Sequence, residues 1–124
     1  MSKKVLIVDD QPEVRELVTV SLQIGEYDVK QAINGDEAIN IAKEFMPDLM
    51  LLDINMPNGT LDGFEVCKLI KMNPETKNIK IVMLSSKNQP EDFEKGKNAG
   101  CNGYLTKPFS PFELMDEVEK FLNS

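Results

Sequence analysis

The stretch Leu49-Met50-Leu51-Leu52-Asp53 is a short apolar run that ends at a carboxylate. Such a run is typical of a strand that is covered on both faces of a parallel sheet. On both sides of this stretch, other short apolar runs alternate along the chain with segments of helical spacing, as in consecutive βα units. The sequence therefore predicts five strands, over Lys4–Val8, Tyr27–Ala32, Leu49–Leu52, Ile79–Leu84 and Gly103–Thr106.

Helices are predicted between and after these strands, because apolar residues recur there at intervals of three and four. The predicted helices start at Pro12, Asn34, Asp62, Pro90 and Ser110. The first is predicted to end at Gly25, the second before Pro47 and the fourth at Ala99. Three of them open with a polar residue followed three positions later by Glu, the spacing of a capping box. The expected core-facing residues include Val14, Leu17, Val18 and Leu22 of the first helix and Val66, Leu69 and Ile70 of the third. The fourth helix carries few apolar residues, and we expect it to be loosely held.

This alternation predicts an α/β fold of the flavodoxin-like, doubly wound type, with a five-stranded parallel sheet in the order 2-1-3-4-5 and five helices. A chain of 124 residues has the usual length of one domain, so residues 1–124 are interpreted as a single domain. Ligands of such sheets bind beyond the carboxyl ends of the strands, where strands 1 and 3 diverge.

Composition excludes several classes of function. The chain has 14 Lys and Arg against 21 Asp and Glu, a net charge of −7, so direct binding of nucleic acid is not expected. There is no His, which excludes catalysis by imidazole and phosphohistidine in this chain. No segment is long and apolar enough for a signal peptide or membrane span, and the expected location is the cytoplasm. Cys67 and Cys101 lack metal-ligand spacing and are predicted to be free thiols.

Chemically reactive side chains follow four of the five predicted strands. Asp9 and Asp10 end strand 1, Asp53 ends strand 3, Ser85 ends strand 4 and Lys107 ends strand 5. Carboxylates crowded in one cleft repel one another, and a hard cation, Mg²⁺ or Mn²⁺, would relieve that repulsion. With a lysine and a hydroxyl added, the set suits phosphoryl transfer, with Asp53 as the nucleophile. Asn55 is either a further ligand through its backbone carbonyl or an ordinary loop residue.

The motifs that carry these residues resemble those of the receiver domain of two-component response regulators, of the single-domain chemotaxis type. They are Val5-Leu6-Ile7-Val8-Asp9-Asp10, Leu51-Leu52-Asp53-Ile54-Asn55-Met56-Pro57, Asp62-Gly63-Phe64-Glu65, Met83-Leu84-Ser85-Ser86 and Gly103-Tyr104-Leu105-Thr106-Lys107-Pro108-Phe109. The likeness extends over essentially the whole chain.

The resemblance implies a signalling domain rather than a turnover enzyme. Asp53 would accept a phosphoryl group from a histidine kinase, a phosphotransfer protein or a small acyl phosphate. Mg²⁺ would be held by Asp9, Asp10, Asp53 and the Asn55 carbonyl. Lys107 would contact the phosphoryl group, and the peptide bond between Lys107 and Pro108 would be cis. The resemblance further implies that Ser85 and Tyr104 form a switch that reshapes the surface of helix 4, strand 5 and helix 5 for a downstream protein, the domain being a monomer or a phosphorylation-dependent dimer.

Two features set this chain apart from the usual pattern. The loop Asn58-Gly59-Thr60-Leu61 is about two residues longer than usual, which changes the rim where a kinase would dock. Lys87 occupies a position that in this family tunes the rate at which the phosphoryl group is hydrolysed, and the resemblance implies the same role for Asn55. The simpler interpretation of Lys87 is a solvated surface lysine. Ser124 is followed by no effector domain here, so the chain either acts by binding a partner or comes from a longer protein.

Three other functions were weighed. A flavin-binding flavodoxin is disfavoured, because the acidic first loop would repel a phosphate. A Mg²⁺-dependent phosphatase with an Asp nucleophile usually needs a second acid two positions on, where this chain has Asn55. An interaction domain that has lost phosphorylation is the third alternative, and the complete set of five side chains argues against it.

Overall fold

The computed structural model describes residues 3–55, 60–86 and 89–122. Over these ranges the strands are β1 (Lys4–Val8), β2 (Asp28–Ala32), β3 (Leu49–Asp53), β4 (Lys80–Ser85) and β5 (Gly103–Thr106). The helices are α1 (Pro12–Ile24), α2 (Gly35–Phe45), α3 (Gly63–Met72), α4 (Pro90–Ala99) and α5 (Pro111–Leu122). The sheet is parallel with the order β2-β1-β3-β4-β5, which confirms the predicted doubly wound topology.

Strand bounds differ from the prediction by one residue at several ends. Tyr27 and Ile79 lie before their strands, whereas Asp53 and Ser85 belong to theirs. The last two are paired across the sheet, Asp53 with Leu84 and Ser85 with Thr106. These two side chains are therefore positioned by regular sheet pairing rather than by a loop.

Two helix starts form both hydrogen bonds of the predicted capping box, and a third forms one of the two. Asp62 and Glu65 form a reciprocal capping box, with amide-to-carboxylate distances of 2.9 and 3.0 Å. Ser110 and Glu113 form the same pair of bonds at 3.1 Å each. At α2 the Asn34 side chain accepts from the Glu37 amide at 2.9 Å, but the Glu37 carboxylate accepts from the preceding amide, that of Ile33.

The core forms two apolar layers, one on each face of the sheet. Helices α2, α3 and α4 cover one face, and α1 and α5 cover the other. Every residue of β3 is buried, as its uniformly apolar sequence predicts. Leu17 and Leu69 were expected in the core but are 41% and 45% exposed, because the apolar stripe of each helix is wider than the area that meets the sheet.

Both cysteines are free thiols, as predicted. Cys67 is buried in α3, and burial raises its pKa to about 12. Cys101 lies half-buried in the connection between α4 and β5, and burial raises its pKa as well. A thiol of high pKa reacts poorly, so these side chains act as small packing groups.

Helix α4 is held mainly at its carboxyl-terminal end. Its buried residues are Gly96 and Ala99, and Phe93, near its start, is 39% exposed. The Phe93 ring meets the Tyr104 ring edge to face at a centroid distance of 4.5 Å. This sparse packing agrees with the expectation of a weakly held helix.

Just beyond α4, a set of hydrogen bonds connects the end of α3, the start of β4 and the residue before β5. The Lys71 ammonium group at the end of α3 donates to the Ile79 carbonyl at 2.7 Å and to the Asn102 side-chain oxygen at 2.9 Å. The same Asn102 oxygen accepts from the Ile81 amide at 2.8 Å. Burial lowers the pKa of Lys71, yet the ammonium form keeps these acceptors satisfied.

A close backbone approach fixes the start of α3 against the end of β3. The Gly63 amide donates to the Ile54 carbonyl at 3.0 Å. A Cβ atom on Gly63 would lie 2.5 Å from the Asp53 carbonyl oxygen and 2.7 Å from the Ile54 Cα. Only glycine fits here, so the Asp62-Gly63 motif supports the backbone that carries Asp53.

Candidate functional site

The carboxyl ends of β1 and β3 bring three carboxylates together. These strands are neighbours, with Val8 paired to Leu52, so the residues that follow them share one edge of the sheet. Carboxylate oxygens of Asp9, Asp10 and Asp53 all lie within 4.8 Å of one another. Asp9 is fully buried and Asp53 is 4% exposed, so water screens their repulsion weakly.

Lys107 is the cation that faces this cluster. Its ammonium group lies 2.8 Å from an Asp9 oxygen and 3.5 Å from an Asp53 oxygen. It also lies 3.4 Å from the Gln11 side-chain oxygen. The Lys107 amide donates to the Ser85 carbonyl at 2.7 Å, and the bond to Pro108 is cis, as predicted. The chain thus holds the ammonium group where it meets two carboxylates at once.

The pKa of Asp53 is raised to about 6 from its usual 3.8. The largest cause is burial, followed by the charge of Asp9, and the charge of Asp10 acts in the same direction. Lys107 and a hydrogen bond from the Asn55 amide favour the ionised form but do not offset these effects. The ionised form of Asp53 is therefore destabilised in the folded protein, and a bound cation would stabilise it.

Asp9 is oriented by the start of α1. Its Oδ1 accepts from the Gln11 amide at 2.9 Å, and its backbone carbonyl accepts from the Arg15 guanidinium at 2.8 Å. With Oδ2 facing Lys107, both carboxylate oxygens have defined partners. Asp9 is thus rigidly placed, whereas Asp10 is only half-buried at the rim.

Ser85 and Tyr104 form a pair beside the cluster. Ser85 is 1% exposed, and its side chain is hydrogen-bonded to that of Tyr104. Burial raises the pKa of the Tyr104 hydroxyl. Ser85 remains the predicted hydroxyl donor to the cleft, and the next residue, Ser86, lines the cleft as well.

The cleft has a volume of about 440 Å³ and is lined by Asp10, Gln11, Asp53, Asn55, Ser86 and Lys107. The sequence prediction missed Gln11 and Ser86. Gln11 stands two positions after Asp9, as Asn55 stands two positions after Asp53, and that repeated spacing was the available clue. Lys87, predicted to tune the reaction rate, lies outside the described residues.

The longer loop is described only at its end, since residues 56–59 lie outside the described ranges. The Thr60 hydroxyl donates to the Asp36 carboxylate at 2.8 Å, and the Thr60 amide donates to the same group at 3.2 Å. Leu61 packs so closely on Gly35 that a Cβ there would lie 3.2 Å from it. The loop therefore ends against the first turn of α2.

Comparison with known proteins decides the family. The family model described as "Response regulator receiver domain" matches residues 5–119. The chain belongs to the response regulator receiver domain family. This receiver domain is also similar in structure to the chemotaxis response regulator CheY4 of Vibrio cholerae, with a TM-score of 0.92 and 36% identity over 98% of this chain and 100% of that one. A putative response regulator from Chloroflexus aurantiacus gives the same TM-score at 34% identity, covering 100% of both chains.

The sequence relatives of this receiver domain include longer regulators. The transcriptional regulatory protein ResD of Bacillus subtilis is 42% identical over 119 residues, and the DNA-binding dual master transcriptional regulator RpaA of Synechocystis is 36% identical over 119 residues. Each alignment covers 96% of this chain but 48% of the relative. The chain thus spans about half the length of these two regulators. No helix in the described part of the receiver domain is long and apolar enough to cross a membrane.

Proposed function

We propose that this receiver domain, residues 1–124 acting as one unit, accepts a phosphoryl group on Asp53 from a phosphohistidine of a histidine kinase or phosphotransfer protein. The observation that carries the proposal is the position of Lys107, whose ammonium group contacts Asp9 at 2.8 Å and Asp53 at 3.5 Å. A phosphoryl group on Asp53 would enter the cleft beside that cation.

The donor set fits Mg²⁺, or Mn²⁺ in its place. Three carboxylates within 4.8 Å of one another offer oxygen ligands at the open edge of the sheet, and hard cations prefer such ligands. Asp9, Asp10 and Asp53 would hold the ion, together with the Asn55 carbonyl. When bound, the ion supplies positive charge that neutralises the phosphoryl oxygens.

Asp53 supplies the nucleophile. One of its carboxylate oxygens forms a bond to phosphorus, the bond from phosphorus to the donor nitrogen breaks, and that electron pair remains on the donor imidazole. Lys107 stays beside the carboxylate and pairs with the charge on the transferred group. No general base in this chain is needed, because the attacking group is ionised above its pKa of about 6. Asn55 and Lys87 are the residues expected to tune the later loss of the phosphoryl group to water.

The Ser85–Tyr104 pair is the proposed link to the surface. On contact with a phosphoryl group in the cleft, the Ser85 hydroxyl would exchange its interaction with Tyr104 for one with a phosphoryl oxygen. The Tyr104 ring meets Phe93 of α4, so a change at Ser85 alters the packing between β5 and α4. The surface of α4, β5 and α5 would then present a different face to a downstream protein, as a monomer or a phosphorylation-dependent dimer.

The test is the intact mass of the protein after incubation with Mg²⁺ and acetyl phosphate. We expect the addition of one phosphoryl group, which Asp53→Asn and a chelator each abolish, and which the exposed variant Asp116→Asn retains. Continuous hydrolysis of phosphoesters without a labelled intermediate would instead support the phosphatase alternative. Failure to bind Mg²⁺ would overturn the proposed mechanism and favour the interaction domain.

A further inference from the structure

Arg15 is the single arginine among the 14 basic residues of the chain, and all the others are lysines. It lies half-buried in the first turn of α1, beside the edge strand β2. Its guanidinium group donates from Nη1 to the Asp9 carbonyl at 2.8 Å and from Nε to the Gln31 side-chain oxygen at 3.1 Å. Two acceptors placed in this way require the planar, forked donor set of a guanidinium, which an ammonium group lacks.

The second acceptor of Arg15 is itself held in place. The Gln31 side-chain amide donates from Nε2 to the Thr19 hydroxyl at 2.9 Å, while its oxygen accepts from Arg15. Thr19 lies one turn after Arg15 on the same face of α1. A connected row of hydrogen bonds therefore runs from Thr19 through Gln31 and Arg15 to the backbone of Asp9.

The end of this row acts on the peptide unit that joins Asp9 to Asp10. A peptide unit is planar, so fixing the direction of the Asp9 carbonyl also fixes the plane from which Asp10 continues. On the other side of the residue, the Asp9 amide donates to the Ala32 carbonyl of β2 at 3.1 Å. Asp9 is thus bound to β2 directly through its amide and indirectly, through Arg15 and Gln31, at its carbonyl. The relative orientation of two of the three clustered carboxylates consequently depends on Arg15.

We propose that Arg15 is a positioning residue for the cation, which holds the Asp9 and Asp10 carboxylates in the arrangement that binds Mg²⁺. The inference rests on the Mg²⁺ site of the proposed function and adds to it a residue outside the ligand set. Removing a group that orients metal ligands commonly weakens metal binding about 10–100-fold. Because Arg15 acts through the backbone rather than on a carboxylate, we expect the lower end of this range, about tenfold.

The charge of Arg15 and its geometry have opposite effects on Mg²⁺, and this makes the two separable. A positive charge near the acidic cluster repels the cation, so charge alone would make Mg²⁺ bind more tightly when Arg15 is neutralised. Arg15→Lys keeps the charge, but its ammonium group lies closer to the backbone and reaches one of the two acceptors at most. Weaker Mg²⁺ binding in Arg15→Lys therefore reports the lost geometry and not a change of charge.

The experiment is calorimetric titration with MgCl₂ at pH 8. We expect the Kd for Mg²⁺ to rise about tenfold in Arg15→Lys and about threefold in Gln31→Leu, which removes one acceptor and leaves Arg15 in place. Gln31→Glu keeps an acceptor for the Arg15 Nε and should stay within about twofold of the wild type. Gln23→Leu is the matched control, because it makes the same change at an exposed position near the other end of α1, and it should leave Kd unaltered.

Phosphorylation by acetyl phosphate supplies a second readout. In Arg15→Lys the rate should be lower at limiting Mg²⁺ and return close to the wild-type rate at saturating Mg²⁺, a split that a damaged fold does not produce. Gln31 is exposed, so Gln31→Leu tests the inference even where Arg15→Lys folds poorly.

The outcomes separate this inference from the function beneath it. A Kd in Arg15→Lys and Gln31→Leu equal to that of the wild type overturns the positioning role, and a lower free energy of unfolding at unchanged Kd would make Arg15 a purely structural residue. Tighter binding in Arg15→Met together with an unchanged Kd in Arg15→Lys would assign the effect to charge alone and also overturn it. Absence of Mg²⁺ binding by the wild type overturns the proposed function itself, and it is observed before any variant is compared.

Discussion

We expect Asp53 to lower the stability of the metal-free protein, so replacing it should stabilise the fold. Its pKa is about 6 in the folded protein and 3.8 in an ordinary environment. Between these two pH values the folded protein binds more protons than the unfolded chain does. The free energy of unfolding consequently falls as the pH rises from about 4 to about 6, and the destabilisation is complete above that range.

The magnitude follows from the same shift. A pKa of about 6 in place of 3.8 corresponds to about 3 kcal/mol in the free energy of unfolding. Asp53 is 4% exposed, so screening by solvent lowers this value only slightly. Asp53→Asn removes the charge but also loses the 3.5 Å contact with Lys107, which keeps its 2.8 Å contact with Asp9. We expect a net gain of about 2 kcal/mol at pH 8, which for a chain of this length raises Tm by about 8 °C.

The assay is thermal and urea unfolding of the wild type and Asp53→Asn, in chelator, at several pH values from 4 to 8. The gain should be full at pH 8 and small at pH 4, where the folded wild type is already protonated at this position. Asp116→Asn, an exposed substitution on α5, should change the free energy of unfolding by less than about 0.5 kcal/mol at every pH. A gain of equal size at both pH extremes, or a loss at pH 8, would refute the reasoning.

Three further results are expected. Mg²⁺ should raise the Tm of the wild type at pH 8 and have little effect below pH 5, where protons compete for the carboxylates; an equal rise at both pH values in thermal melts would contradict a carboxylate site. Gly63→Ala should cost about 3 kcal/mol or prevent folding, since its Cβ would lie 2.5 Å from a backbone oxygen. Gly25→Ala meets only side-chain atoms, the end of Met115 at 3.0 Å and the Tyr27 ring at 3.1 Å, and should cost less than about 1 kcal/mol in urea unfolding. Lys71→Met should cost about 1–2 kcal/mol by leaving the part-buried Ile79 carbonyl without its 2.7 Å partner, while the Asn102 oxygen keeps the Ile81 amide, and the exposed control Lys68→Met should be nearly neutral by the same measurement.

The sequence was sufficient to predict the architecture because each element carries its own local chemistry. The apolar run before Asp53 required a strand with two covered faces, and the Asp62–Glu65 pair specified where α3 begins. Sheet topology then brings Asp9 and Asp53 together, because β1 and β3 are parallel neighbours that end at the same edge of the sheet. Lys107 follows β5 at that same edge but two strands away from β3, and it reaches both carboxylates through its long side chain.

Details that depend on tertiary packing were not predictable in this way. The Ser85 hydroxyl can bond to any near group, and its pairing with Tyr104 depends on how β5 lies beside β4. The exposure of Leu17 depends on how far α1 is rotated against the sheet, which periodicity does not specify.

The uneven packing of α4 makes this helix a lever. Gly96 and Ala99 fix its carboxyl-terminal end, which acts as the fulcrum, while its first turn carries no buried residue. The helix is about 15 Å long, so a tilt of ten degrees would displace the first turn by about 2 Å and leave Ala99 almost in place. Because Phe93 rests on Tyr104 in the half of the helix remote from Ala99, a displacement of the Tyr104 ring acts on the first turn rather than on the carboxyl-terminal end. Amide hydrogen exchange should accordingly be fast in the first turn and slow near Ala99, and a tilt of the helix about that end can move its first turn without unfolding it.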